Sequence, residues 1–225
     1  MSMPFYVAPE QLVRDKAEFA RKGIARGRSI VALEYGQGLL IMAENPSRSL
    51  HKIAEVYDRI AFAGVGRYNE YDTLRKAGVR QADLMGYLYS REDVNARALA
   101  TAFAQTLGHI FSHELKPYEV EVLIAELGIG DEENKLYRVS YDGTLYDERH
   151  FAAIGGKAEG LVSALEESWR EGLTLEEAIQ VGTEAFHRAE ERESEGWEIA
   201  VLDASNGRRS FRRVENGEAA QQDAG

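Results

Sequence analysis

The chain has no cysteine, four prolines and two tryptophans among 225 residues. The first absence excludes disulfides, thiol nucleophiles and thiolate metal sites, and it suits a cytoplasmic protein without requiring one. The prolines are few and scattered, so no linker divides the chain, and this length suits one domain with a sizeable core. No apolar run approaches the ~18 residues of a membrane span. The opening Met1-Ser2-Met3-Pro4-Phe5-Tyr6 lacks the basic start and apolar stretch of a secretory signal. Positive charge is the minority sign: 27 Lys and Arg against 38 Asp and Glu give a net charge of −11. That balance argues against a general attraction to nucleic acid.

What basic charge there is gathers near the N-terminus, at Arg14, Lys16, Arg21, Lys22, Arg26 and Arg28. Glu190, Glu191, Glu193, Glu195 and Glu198 form an acidic stretch near the other end. Each run reads first as a solvated helix face and second as a docking surface.

Pro9 suits a first helical turn, and a helix from there to Gly23 carries the stripe Val13, Ala17, Ala20 and Ile24. Residues 29–35 and 39–44 are strand-like around Gly36-Gln37-Gly38, a hairpin signal, and 53–57 and 60–64 are further strands. Long helices are expected over Tyr68–Leu88 and Val94–Leu115. The second turns Leu99, Phe103, Leu107, Ile110 and Phe111 inward, and Lys116-Pro117 ends it. A period of two returns at Val120, Val122 and Ile124, then come strands at 136–141, 144–147 and 151–154, with an Asp142-Gly143 turn. Helices follow at 157–169 and 174–191, the latter with Thr174 and Glu177 as a capping box. Strands at 197–203 and 210–214 close the pattern, and the polar residues 215–225 are expected to be disordered. Strands in runs and helices in pairs argue for an α+β fold: two antiparallel sheets face to face with a helix pair outside each.

Several segments then point one way. They are Ala25-Arg26-Gly27-Arg28-Ser29, the run Glu44-Asn45-Pro46-Ser47-Arg48-Ser49-Leu50-His51-Lys52-Ile53, and Tyr57-Asp58-Arg59-Ile60. Gly66-Arg67-Tyr68-Asn69-Glu70, Lys116-Pro117-Tyr118-Glu119-Val120-Glu121 and Phe211-Arg212-Arg213 continue the series. Over nearly its whole length the chain resembles α-type subunits of the 20S proteasome, of the actinobacterial kind. The resemblance implies the four-layer αββα sandwich of N-terminal-nucleophile hydrolases, non-catalytic and with an extra N-terminal helix. It divides the chain into a gate segment (1–8, with Phe5, Tyr6, Ala8 and Pro9 at the gate), an α-type domain (9–214) and a tail (215–225). It implies a seven-membered α ring capping proteolytic β subunits in the cytoplasm, and a hexameric AAA ATPase as activator. Substrates in transit would be unfolded proteins carrying Pup, the small modifier of actinobacteria. No cofactor, metal, membrane or nucleic acid is expected.

In the related β subunits the nucleophile is an N-terminal threonine freed by self-cleavage after a glycine. Its α-amino group serves as base because its reference pKa is roughly 8. Here Gly27 stands at the cleavage glycine and Glu44 and Lys52 at the supporting positions, but Arg28 replaces the threonine. Arginine is no nucleophile, and the helix before it is retained. The alternative is a self-processing amidohydrolase using Ser29. A one-residue slip along a strand, however, turns that hydroxyl to the other face. A free-standing, monomeric peptide-tail binding module is a third reading.

The resemblance gives Lys52 a second use, as the ammonium that receives an activator's C-terminal carboxylate between subunits. Gly66, expected at the start of the next helix, offers a backbone amide to the same group. The plainer alternative is an intrachain salt bridge from Lys52 to Glu44 or Glu55. His109 and His113 have the spacing of a zinc pair but no third ligand. Gly155-Gly156-Lys157 lacks the P-loop spacing and reads as a close turn. Arg208-Arg209 and Arg212-Arg213 read as a solvated or subunit-facing edge strand.

Overall fold

The computed structural model describes residues 8–47, 49–190 and 196–214. Expectations for Phe5, Tyr6 and residues 215–225 lie outside the described residues.

The described chain begins with α1 (Pro9–Ala25), then β1 (Ile30–Tyr35), β2 (Gly38–Glu44), β3 (Ile53–Tyr57) and β4 (Ile60–Gly66). Helices α2 (Tyr68–Leu88) and α3 (Ala96–His113) follow, and then β5 (Val120–Glu126), β6 (Lys135–Val139), β7 (Leu145–Glu148) and β8 (Phe151–Ile154). Last come α4 (Ala158–Ser168), α5 (Leu175–Glu190), β9 (Trp197–Asp203) and β10 (Phe211–Val214). The strands pair antiparallel into two sheets, ordered β10-β9-β2-β1-β8 and β3-β4-β5-β6-β7.

Side-chain alternation explains the layers. Ile30, Ala32, Leu39, Ile41 and Ala43 face the second sheet, which answers with Ala61, Ala63, Leu123 and Ala125. Their neighbours Val31, Leu33, Leu40 and Met42 face α4 and α5. On the second sheet Ile60, Phe62, Val122 and Ile124 pack under α2 and α3. Both faces of each sheet are covered, so the central strands read as continuous apolar runs. The expected four-layer αββα sandwich, with its N-terminal helix, is what the chain forms.

Three differences from expectation have physical reasons. First, α1 runs through Gly23 to Ala25. Gly23 is needed because the helix crosses Glu119 closely: a Cβ there would lie 2.2 Å from the Glu119 Oε2. Val13, placed in the buried stripe, is exposed, and only Ala17, Ala20 and Ile24 are buried. Second, α3 starts at Ala96, where the Asn95 side chain accepts from Ala98 N at 2.9 Å and the buried Glu126 accepts from Ala96 N at 2.8 Å. It stops at His113, where Lys16 Nζ reaches over from α1 to the carbonyls of Phe111 (3.1 Å) and Glu114 (2.6 Å). An ammonium on unsatisfied C-terminal carbonyls favours a helix end. Lys16 is therefore no solvated charge, and Arg21 likewise donates to the Tyr141 hydroxyl at 3.0 Å. Third, β6 ends at Val139 because Ser140–Gly143 already turn, with Gly143 N on Ser140 O at 2.9 Å. The capping box at α5 forms as expected, Thr174 N to Glu177 Oε2 at 2.8 Å and Glu177 N to Thr174 Oγ1 at 3.2 Å.

Candidate functional site

Gly27, Arg28 and Ser29 join α1 to β1. The Arg28 guanidinium pairs with Glu44, whose side chain is wholly buried at the end of β2. Lys52, the residue before β3, donates from Nζ to the Arg28 carbonyl at 2.5 Å. Burial pushes the Lys52 amine down to about 8; the Arg28 charge adds to this, while Glu198, Glu44 and Glu190 pull the other way. The expected alternative for Lys52 is not what forms. Glu44 pairs with Arg28 and Glu55 with Arg209, and the ammonium goes to a backbone oxygen instead.

Ser29 is buried, and its hydroxyl points elsewhere. It sits 3.5 Å from Glu190 at the end of α5 and 3.4 Å from Lys157 N before α4. Arg28 therefore follows Gly27 with a side chain that cannot act as a nucleophile, inside a chain that continues through α1.

Gly66 is the last residue of β4, opposite Val120, rather than the start of a helix. Its φ is +108°, and a Cβ there would lie 1.8 Å from the Glu119 carbonyl oxygen. Arg67 caps α2 and donates its N–H to that same carbonyl at 3.0 Å. Gly64 N donates to Lys52 O at 3.1 Å, so Lys52 and Gly66 lie at one end of the second sheet.

Sequence reasoning missed Glu198. Counted above in an acidic surface run, it is buried in β9. It accepts from Lys52 N (2.8 Å), Ile53 N (3.2 Å), Asn45 Nδ2 (2.7 Å) and Arg213 Nη1 (2.8 Å), with His51 Nδ1 at 3.3 Å. Burial opposes its charge, but these donors outweigh it and hold the carboxyl below its ordinary value. The available signal was period: Glu198 shares an inward face with Ala200 and Leu202.

A proteasome-subunit family model matches residues 24–203. The chain belongs to the proteasome subunit family. It is 54% identical over 226 residues to a proteasome subunit alpha of Xylanimonas cellulosilytica, covering 95% of this chain and 93% of the relative. The corresponding protein of Kineococcus radiotolerans is 52% identical over 224 residues, with 95% and 94% covered. That of Thermomonospora curvata is 52% identical over 217 residues, with the same coverage. The chain is thus a proteasome α-type subunit, a non-catalytic member that assembles with other proteasome subunits.

Other sequence candidates fall outside this proteasome subunit's central site. Ala8 and Pro9 open α1, exposed, with the Ala8 carbonyl accepting from Gln11 N (2.9 Å) and Leu12 N (3.1 Å). His109 and His113 stack at 4.3 Å on the exposed side of α3. Among the described residues no group of three or more His, Cys, Asp or Glu gathers as a metal site. The Gly155 amide is taken by the Glu121 carboxylate at 3.0 Å, within the close turn into α4. Arg213, read as an edge-strand charge, reaches inward and also donates to Ile53 O at 2.7 Å. Among the described residues no helix is long and apolar enough to cross a membrane.

Proposed function

We propose that this α-type subunit builds seven-membered outer rings of a 20S core particle in the cytoplasm. There it gates substrate entry and docks a hexameric AAA ATPase through that partner's C-terminal tails. The catalytic threonines come from a partner β subunit, and the substrates are Pup-tagged proteins unfolded in transit. One observation carries the reading: the residue in the nucleophile's place, Arg28, is locked in an ion pair with buried Glu44. That pairing occupies the support a cutting subunit would need and leaves Lys52 free of a nucleophile to tune.

Co-expression with a β subunit tests it. A four-ring barrel by electron microscopy, active on peptides only when β is present, is the expected result. Peptide cleavage by the α subunit alone, with an intact mass beginning at Ser29, would overturn it.

The gate has its own test. Deleting residues 2–7 keeps the Ala8 carbonyl that closes the first turn of α1. Peptide hydrolysis by the assembled particle should then rise several-fold. An unchanged rate would remove the gate, with Phe5 and Tyr6 in it, from the proposal.

A further inference from the structure

We infer that Glu198 is the positioning residue of the dock: a buried carboxylate of the first sheet that fixes the loop carrying Lys52 against the second. The inference rests on the reading of Lys52 as the carboxylate-binding residue.

Within the loop between β2 and β3 the described hydrogen bonds are short-range, Ser47 N to Asn45 Oδ1 and Leu50 N to Ser47 Oγ at 3.1 Å each, while Asn45 N reaches out to Gly196 O at 3.0 Å. Leu50 and His51 are exposed, and surface loops with few apolar contacts open easily. Glu198 grips both of its ends. Oε2 takes the Asn45 side-chain amide at the start (2.7 Å) and the Lys52 N–H at the finish (2.8 Å). Oε1 takes Ile53 N at 3.2 Å and Arg213 Nη1 at 2.8 Å. Asn45 and Arg213 complete the clamp, donating to Leu50 O and Ile53 O at 2.7 Å each. A carboxylate accepting several N–H groups is geometrically over-determined, which is what a precise lysine tip requires. The ordering is done before any partner arrives, so docking loses less freedom.

Charge adds a second link. The charged groups that act on the Lys52 amine are Glu198, Arg28, Glu44 and Glu190, and Glu198 contributes most among them. Around Glu198 itself stand Arg213, His51 and Asn45. An acceptor without charge in this place would hold the Lys52 N–H but leave the titration of its amine unaltered. A positioning carboxylate both holds the N–H and alters that titration.

Glu198→Gln keeps the side-chain length but turns one acceptor oxygen into a donor that faces another donor. The readout is the ratio of ATPase-stimulated to unstimulated degradation by the assembled particle, from about pH 7 to about pH 10. The ratio should fall about ten-fold, the loss of roughly one charge-assisted contact. Its high-pH midpoint should move down. Lys52 should also react faster with acetic anhydride at neutral pH, read by mass spectrometry, because more of the amine is neutral. A parent-like ratio with a parent-like midpoint overturns the inference. Lys52→Ala is run alongside: an unchanged ratio there defeats the docking reading itself, which separates the two failures. Should Glu198→Gln not assemble, Asn45→Ala removes one arm of the clamp and leaves the charge. It should lower the ratio at a constant midpoint, and an unchanged ratio overturns the inference.

Discussion

Lys52→Ala should abolish ATPase-stimulated degradation while rings of normal size still form by size exclusion. Each lysine–carboxylate contact contributes about 1.5–3 kcal/mol when partly desolvated. On the proposed docking, several tails would engage one ring together, so their contributions would compound through effective concentration. Losing the ammonium from every pocket therefore removes docking far beyond a single contact. Stimulation equal to the parent's in Lys52→Ala would sink the pocket. The pH dependence sharpens the test. The buried amine titrates at about 8 rather than at the ordinary lysine value of 10.5. The proposed docking needs the charged form, so stimulation should be full well below pH 8 and decline as pH rises through it. Lys52→Arg keeps its charge across that range and should flatten the decline. Stability runs the opposite way. Between about pH 8 and 10.5 the unfolded chain binds more protons than the folded one. Stability therefore rises with pH in that window, and below it the buried ammonium is a standing cost.

The second large effect is on folding. Gly66→Ala puts a methyl group 1.8 Å from the Glu119 carbonyl oxygen at a φ of +108°. Neither partner can step aside: Gly66 is registered against Val120 in the sheet, and Glu119 O already accepts from Arg67 N. Left-handed strain costs roughly 1–2 kcal/mol and the forced overlap roughly 1–3 more. The isolated subunit should lose about 3 kcal/mol or more, a drop in Tm of roughly 6–12 °C. Gly130→Ala is the matched control, since its φ of +63° carries strain but nothing lies within 4 Å. It should cost about 1 kcal/mol. Equal losses for the two variants in thermal unfolding would refute the collision.

What the sequence disclosed follows from what fixes each feature. Tyr68–Leu88, Phe151–Ile154 and Trp197–Asp203 appear at their expected bounds because local apolar pattern decides them. The grouping of Arg28, Glu44 and Lys52 was legible through family resemblance, and the ion pair of the first two gives it a physical form. The misreadings share a cause in contacts distant along the chain. Gly23 looks like a helix stop, yet it is there for Glu119, 96 positions on. Gly66 looks like a helix start, yet it accommodates the Glu119 carbonyl just ahead of the neighbouring strand β5. Lys16, Glu198 and Arg213 look like solvated charges because composition does not register burial or a waiting partner. Short 3-10 turns at 91–93 and 204–206 carried no periodic signal at all.

The last described strand has a practical use. β10 runs antiparallel to β9, so the chain leaves it at Val214, one residue after the Arg213 that shares Glu198 with Lys52. The eleven residues from Glu215 to Gly225 can span no more than roughly 36–40 Å even when fully drawn out. A fluorophore on Gly225 therefore stays within that distance of Val214. Paired with an acceptor on an arriving ATPase tail, it would report occupancy by energy transfer without touching the loop itself. For the same reason, a bulky purification handle joined directly after Val214 would crowd the face on which docking is to be measured.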